Sequence, residues 1–181
     1  LASDEQYRLL LPASGVSPAF FEAVSLYEDR WFRWHPGFNP WSLARAAYAT
    51  ATGQRRIGGS TITMQVARRL YHLDTRTIPG KFEQILRAVQ LEFIYTKDEI
   101  LEAYVNLAPY GGNVEGIAAA SLIYFGKRAS KLTLEESLTL AVIPQNPLRR
   151  SLAQAELILA RNRLFAQWCE HHPEAKRDAN L

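Results

Sequence analysis

Residues Ser17 to Gly37 read "SPAFFEAVSLYEDRWFRWHPG". Serine is a good helix N-cap and proline suits the first helical position. Apolar side chains then recur at Phe20, Val24, Tyr27, Trp31 and Trp34, the spacing of one helical face. This predicts a helix over about residues 18–34, which His35-Pro36-Gly37 must stop because the residue before a proline avoids helical backbone. Glu28 falls one turn after Val24 and one turn before Phe32, so a carboxylate stands at the edge of the apolar stripe. Burial there raises a carboxylate's pKa, which is the tuning a general base needs. A second reading stays open: Glu28 pairs with a nearby arginine and only fixes the helix, since ion-pair networks also perturb pKa values.

The helical period continues beyond this stretch. "NPWSLARAAYATATG" (Asn39 to Gly53) predicts a shorter helix ending at Gly53, with Gln54-Arg55-Arg56 a basic approach to the glycines that follow. Its Trp41, Leu43 and Tyr48 suit either a core or a membrane surface. A third helix is expected from about Thr61 to Leu70. A fourth is expected from about Pro79 to Tyr95, with Phe82, Ile85, Leu86, Val89 and Phe93 on its apolar face. Thr96 with Glu99, and Thr133 with Glu136, have the spacing of capping boxes for two further helices. Between them lie a loop at "APYGGN" and an Ala-rich helix from Val114 to Phe125 that Gly126 stops. Pro144 and Pro147 close the helix after Thr133, and an amphipathic stretch follows over roughly Ala153 to Trp168. No segment alternates with the period of two that a strand requires, so the expected fold class is all-α.

A chain of 181 residues with 48% hydrophobic and 22% charged residues suits one globular domain with a real core. A mean hydropathy of −0.17 fits neither disorder nor a membrane span. The net charge of +3 and pI of about 9.1 admit phosphate, anionic lipid or nucleic acid without choosing among them. No apolar run reaches the roughly 18 residues of a spanning helix, and "LASDEQYRLLL" lacks the order of a signal peptide. The chain therefore reads as an internal piece of a longer protein. Cys169 alone allows no internal disulfide, and no Cys and His cluster has metal-ligand spacing, so no metal residues are assigned.

The second informative stretch is "GGSTITMQ" (Gly58 to Gln65). Glycines let backbone come close to a ligand, and a helix start offers free N–H groups at a positive dipole end. Phosphate is the natural guest. The stretch lacks the lysine of a P-loop and the spacing of a dinucleotide fingerprint, and a capped helix after a tight turn explains it equally well taken alone. Arg68, Arg69, Lys81 and Lys127 each lie near a motif and would matter only if they converge, since scattered cations are usually a solvated face. His35, between Trp34 and Pro36, reads as a packed helix-end residue.

Together these residues resemble glycosyltransferase family 51, the peptidoglycan polymerase module of class A penicillin-binding proteins. "EDRWFRWHPG", "GGSTITMQ", "GKFEQILRAVQLE", "KDEILEAYVNLAPYGGNVEGIAAASLIYFGK" and "LTLEESLTLAVIPQNP" resemble its five motifs in order, across about Val16 to Pro147. Met64, Gly80-Lys81, Gln84 and "PQNP" most resemble the penicillin-binding protein 1C branch.

The resemblance implies a lysozyme-like helical fold with a large lobe and a membrane-proximal jaw. Residues 1–16 would form a lead-in and 17–181 the domain, with about 36–56 as the jaw. It implies polymerisation of lipid II with inversion at the anomeric carbon and release of lipid pyrophosphate. Glu28 would be the base, with Gln84 at the position of the family's second acid. Substrate would meet Asp29, Phe32, His35, Gly59, Ser60, Thr61, Gln65, Arg68, Lys81, Asn106 and Lys127.

The implied partners are lipid II, the growing glycan chain, a membrane surface, moenomycin-type inhibitors and a C-terminal transpeptidase domain in the parent chain. The implied location is the outer face of the bacterial cytoplasmic membrane. No cofactor is assigned; a divalent cation, Mg or Mn, is the one to test for. Three positions depart from the family pattern: Gln84 replaces a glutamate, Arg68 a common lysine and Asn39 a frequent aspartate. Competing readings are a lytic enzyme on the same kind of fold and a lipid II-binding module without turnover. Nucleic acid is not expected, because basic and aromatic residues do not interleave along one face.

Overall fold

The computed structural model describes residues 6–53, 58–147 and 155–174, with Thr50 and Ala51 as backbone alone. The basic Gln54-Arg55-Arg56 approach lies outside the described residues. Among them are eight α-helices: α1 (Pro18–Glu28), α2 (Pro40–Ala51), α3 (Ile62–Leu70), α4 (Ile78–Ile94), α5 (Lys97–Leu107), α6 (Ile117–Phe125), α7 (Leu134–Val142) and α8 (Ala155–His171). The fold is mainly helical, as the sequence predicts. It also holds a small sheet of β1 (Tyr7–Arg8), β2 (Pro109–Gly111) and β3 (Val114–Glu115), ordered β1-β3-β2. The sequence reading misses these strands, since two or three residues cannot show a period. "APYGGN" therefore holds the first strand and the turn of a bulged hairpin, and α6 starts at Ile117 rather than Val114.

The chain divides into two compact units. One joins the residues up to Arg30 with those from Val105 onward; the other is Trp31–Tyr104. The first unit is built around α7, which packs on α1, α6 and α8. Thr133 and Glu136 form the expected capping box, and the helix between is buried from Ser137 to Val142. Phe20, Ala23 and Val24 of α1 and Leu157, Ala160, Leu164 and Trp168 of α8 complete this core. Just beyond α8, His172 Nε2 lies 2.5 Å from Glu22 Oε1 and its ring stacks on Trp168 at 4.5 Å, tying the end of α8 to α1.

Helix α1 ends at Glu28, not near Trp34. Asp29 leaves helical backbone at φ −161°, ψ 76°, and the next residues form turns. The apolar spacing is real in residue type, but the turns bury only Phe32 and His35 and leave Trp31 and Trp34 on the surface.

In the second unit α3 packs on α4. The Thr61 side chain caps α3, accepting from Met64 N at 3.1 Å and donating to Gly37 O at 2.6 Å. Gly37 has φ +90° and lies so close to α4 that a Cβ would stand 2.7 Å from Ala88 O, so glycine is required there. Helix α4 turns much of its apolar stripe outward. Ile78, Phe82, Leu86 and Phe93 are 88, 62, 51 and 87% exposed, whereas the buried residues are Gln84, Ala88 and Leu91. Packing against α3 selects the side with a small Ala88, and the buried Gln84 is tolerated because both ends of its amide are hydrogen-bonded.

Candidate active site

Glu28 is the last residue of α1, half-buried, with its Oε1 shut off from solvent. Asp29 follows as a buried C-cap, its N–H donating to Ser25 O at 3.1 Å. Tyr110 of β2 lies in the same unit. Burial first, and the charge of Glu28 second, push its hydroxyl pKa far up, so a phenol that stays neutral shares the surroundings of the carboxylate. Two other expected substrate residues of this unit hold structure. Asn106 accepts from Leu11 N at 3.1 Å and donates to Leu11 O at 2.9 Å, fastening the N-terminal segment. Lys127 pairs with Glu136 at 2.6 Å, and that hydrogen bond leads the causes that hold the Glu136 carboxyl below its usual range.

The second unit gathers the glycine-rich stretch and the start of α4. Lys81 Nζ donates to Ser60 Oγ at 2.7 Å and to Gln84 Oε1 at 2.9 Å, while Gln84 Nε2 donates to Met64 O at 2.6 Å. Burial first, and then the charge of Arg68, lower the Lys81 pKa. Of the other two candidate cations, Lys127 belongs to the first unit, and Arg69 Nε is buried. Arg68 also lines an open depression with His72, Asp74 and Arg76.

Packing requires the glycine at Gly59. A Cβ there would meet Ala46 Cβ at 2.7 Å and Ser42 O at 3.0 Å, so the glycine lets α2 lie against this segment. The Thr61 hydroxyl is occupied by its cap and by Gly37 O, and Gln65 is half-buried on α3. Gly80 is needed for a similar reason, since a Cβ would stand 1.9 Å from Asp74 O.

Sequence reasoning passes over one network of this unit. Glu92 Oε1 accepts from Thr63 Oγ1 at 2.5 Å and from Lys97 Nζ at 2.7 Å, and the same ammonium donates to His35 O at 2.7 Å. Lys97 also sits 4.6 Å from the centroid of the buried Phe32 ring. His35 is thus held by its backbone and by its edge contact with Phe32, in keeping with a packing role. The signal for this network is thin: an acid in the last turn of one helix and a lysine opening the next.

The transglycosylase family model covers residues 1–168, and the chain belongs to that family. Among its relatives, penicillin-binding protein 1C of Escherichia coli (strain K12) is 43% identical over 97% of this chain and 24% of its own length. Penicillin-binding protein 2D of Bacillus subtilis (strain 168) is 40% identical over 77% of this chain and 20% of its own. Penicillin-binding protein 1A of Escherichia coli (strain K12) is 34% identical over 87% of this chain and 20% of its own. The chain thus spans a quarter or less of the length of these relatives.

Proposed function

We propose that this transglycosylase domain polymerises lipid II into glycan strands in bacterial cell-wall synthesis, with inversion at the anomeric carbon and departure of a lipid pyrophosphate. The observation that carries the reading is the contact of Lys81 with Ser60, just ahead of α3, with Arg68 in the last turn of α3 adding its charge to that of Lys81; cations and a helix N-terminus suit a pyrophosphate. Glu28 takes the proton from the acceptor's sugar hydroxyl as that oxygen attacks, and Lys81 and Arg68 meet the negative charge that grows on the leaving pyrophosphate. Asp29, Phe32 and His35 are proposed as further substrate contacts, and Gly59, Thr61 and Gln65 shape the segment that carries Ser60. Lys81, Arg68, Ser60 and Gln84 offer an ammonium, a guanidinium, a hydroxyl and an amide. That set suits an anion and repels a divalent cation, so no step is routed through a metal ion.

The membrane is the proposed setting, at the outer face of the cytoplasmic membrane. Trp41 and Tyr48 of α2 are exposed and Leu43 is half-buried, and α4 presents its apolar stripe to the outside. No helix among the described residues is long and apolar enough to cross a membrane, so these faces would lie in the interface. A transpeptidase domain later in the parent chain, and inhibition by moenomycin-type phosphoglycolipids, belong to the same proposal.

Incubation with lipid II in detergent or vesicles tests it. Glycan polymer is expected, and Glu28→Gln is expected to lower its rate by about a hundredfold or more, the scale of a lost general base. Lipid II bound without product would favour the binding-module reading. Soluble fragments released from finished peptidoglycan would favour a lytic one.

A further inference from the structure

Gln84 stands where the resemblance puts a second acid, yet its surroundings are those of an amide. It is 1% exposed and both ends of its side chain are engaged: Nε2 donates to Met64 O at 2.6 Å and Oε1 accepts from Lys81 Nζ at 2.9 Å. A side chain so enclosed reaches a ligand only through its partners. We propose that Gln84 is a positioning residue whose amide holds the Lys81 ammonium against Ser60 without neutralising it, leaving a full positive charge for a substrate phosphate. The proposal rests on the reading that this end of α4 meets a pyrophosphate.

An amide meets both demands of the site. An ionised carboxylate has no N–H for the Met64 carbonyl and would set two acceptors face to face at hydrogen-bonding distance. It would also place a negative charge on Lys81, cancelling much of its pull on an anion. An apolar residue of the same length leaves the Met64 carbonyl without this donor and lets Lys81 swing away from Ser60. With the amide in place, two of the three ammonium protons go to Ser60 Oγ and Gln84 Oε1, both uncharged, and Arg68 adds a second positive charge nearby. Burial and Arg68 make this ammonium costly to hold, the condition under which an arriving phosphate gains most.

The experiment compares Gln84→Glu and the nearly isosteric Gln84→Met with the unaltered full-length protein. Three quantities are read: the affinity for inorganic pyrophosphate, the pH at which Lys81 titrates (followed by NMR of its labelled side chain), and KM and kcat for lipid II. In Gln84→Glu, pyrophosphate affinity and KM are expected to worsen by about ten- to a hundredfold, with kcat changed less, and Lys81 is expected to titrate at higher pH. In Gln84→Met, affinity is expected to fall by a smaller factor with no upward move of the titration, so the proposal stays testable if the glutamate variant does not fold. Parent-like pyrophosphate binding in Gln84→Met, or equal or tighter binding in a folded Gln84→Glu, overturns the proposal. If pyrophosphate binding responds as expected but no protein makes polymer, the polymerase reading fails and the role of Gln84 stands. If polymer forms with a parent KM in both variants, the role of Gln84 fails and the polymerase reading stands.

Discussion

Helices α7 and α4 are both rich in apolar residues and place them oppositely. In α7, Leu138, Leu140, Ala141 and Val142 all lie inside, enclosed by α1, α6 and α8. In α4, Ile78, Phe82, Leu86 and Phe93 lie outside and the enclosed residues include an amide. An apolar stripe records that a surface avoids water, but not whether protein or lipid replaces the water. In α7 the answer is protein. In α4 the outward stripe, together with Trp41 and Tyr48 of α2, is the surface proposed to meet lipid, while the inward face carries Gln84, which bonds to Lys81.

This contrast can be broken most directly in α7. Leu140→Ala is expected to destabilise the domain by about 2–5 kcal/mol in chemical denaturation, the range for emptying a filled core position. A loss below about 1 kcal/mol would mean that the α7 core can collapse around the gap, which a closed core resists.

Serine at Phe82 or Phe93 is expected to do the reverse, with stability within about 0.5 kcal/mol of the parent because these rings are mostly in water. Binding to anionic vesicles, measured by co-sedimentation, should weaken by roughly tenfold for each ring, equivalent to about 1.4 kcal/mol of partial burial. Unchanged vesicle binding with an intact fold would remove the lipid from the comparison.

The smallest expected effect sharpens the α7 side, at the seam between α1 and α8. The hydrogen bond to Glu22, first among the causes, raises the His172 pKa above its usual 6.5. A histidine raised in the folded state stabilises fully below the unfolded value and loses that contribution as pH rises through the folded one. Denaturation midpoints of His172→Gln and the parent should therefore differ near pH 5.5 and converge as pH rises through the folded-state value. A difference independent of pH would assign the contact to stacking on Trp168 alone.

Much of the helical framework is legible in residue order because its signals are local. Thr96 with Glu99 and Thr133 with Glu136 bond as their spacing predicts. Gly126 ends α6 in left-handed backbone, and Glu83 and Arg87 stand 3.7 Å apart across one turn. Glu28 and Lys81 are legible from their motifs. The Glu92–Lys97–Thr63 network is not, since its members become neighbours only when α3, α4 and the start of α5 meet.

The sequence by itself determined the helical class, most helix boundaries and the transglycosylase motifs, because capping, periodicity and glycine punctuation act within a few residues of chain. Tertiary structure alone decided where α1 stops, which side of α4 is inside, and that Gly59 and Gly80 make room for neighbouring backbone. It also decided that Gln84 faces Lys81 and Met64 O rather than open solvent. These are properties of contact between distant segments, and a hydrophobic period carries no information about its partner until the chain has folded.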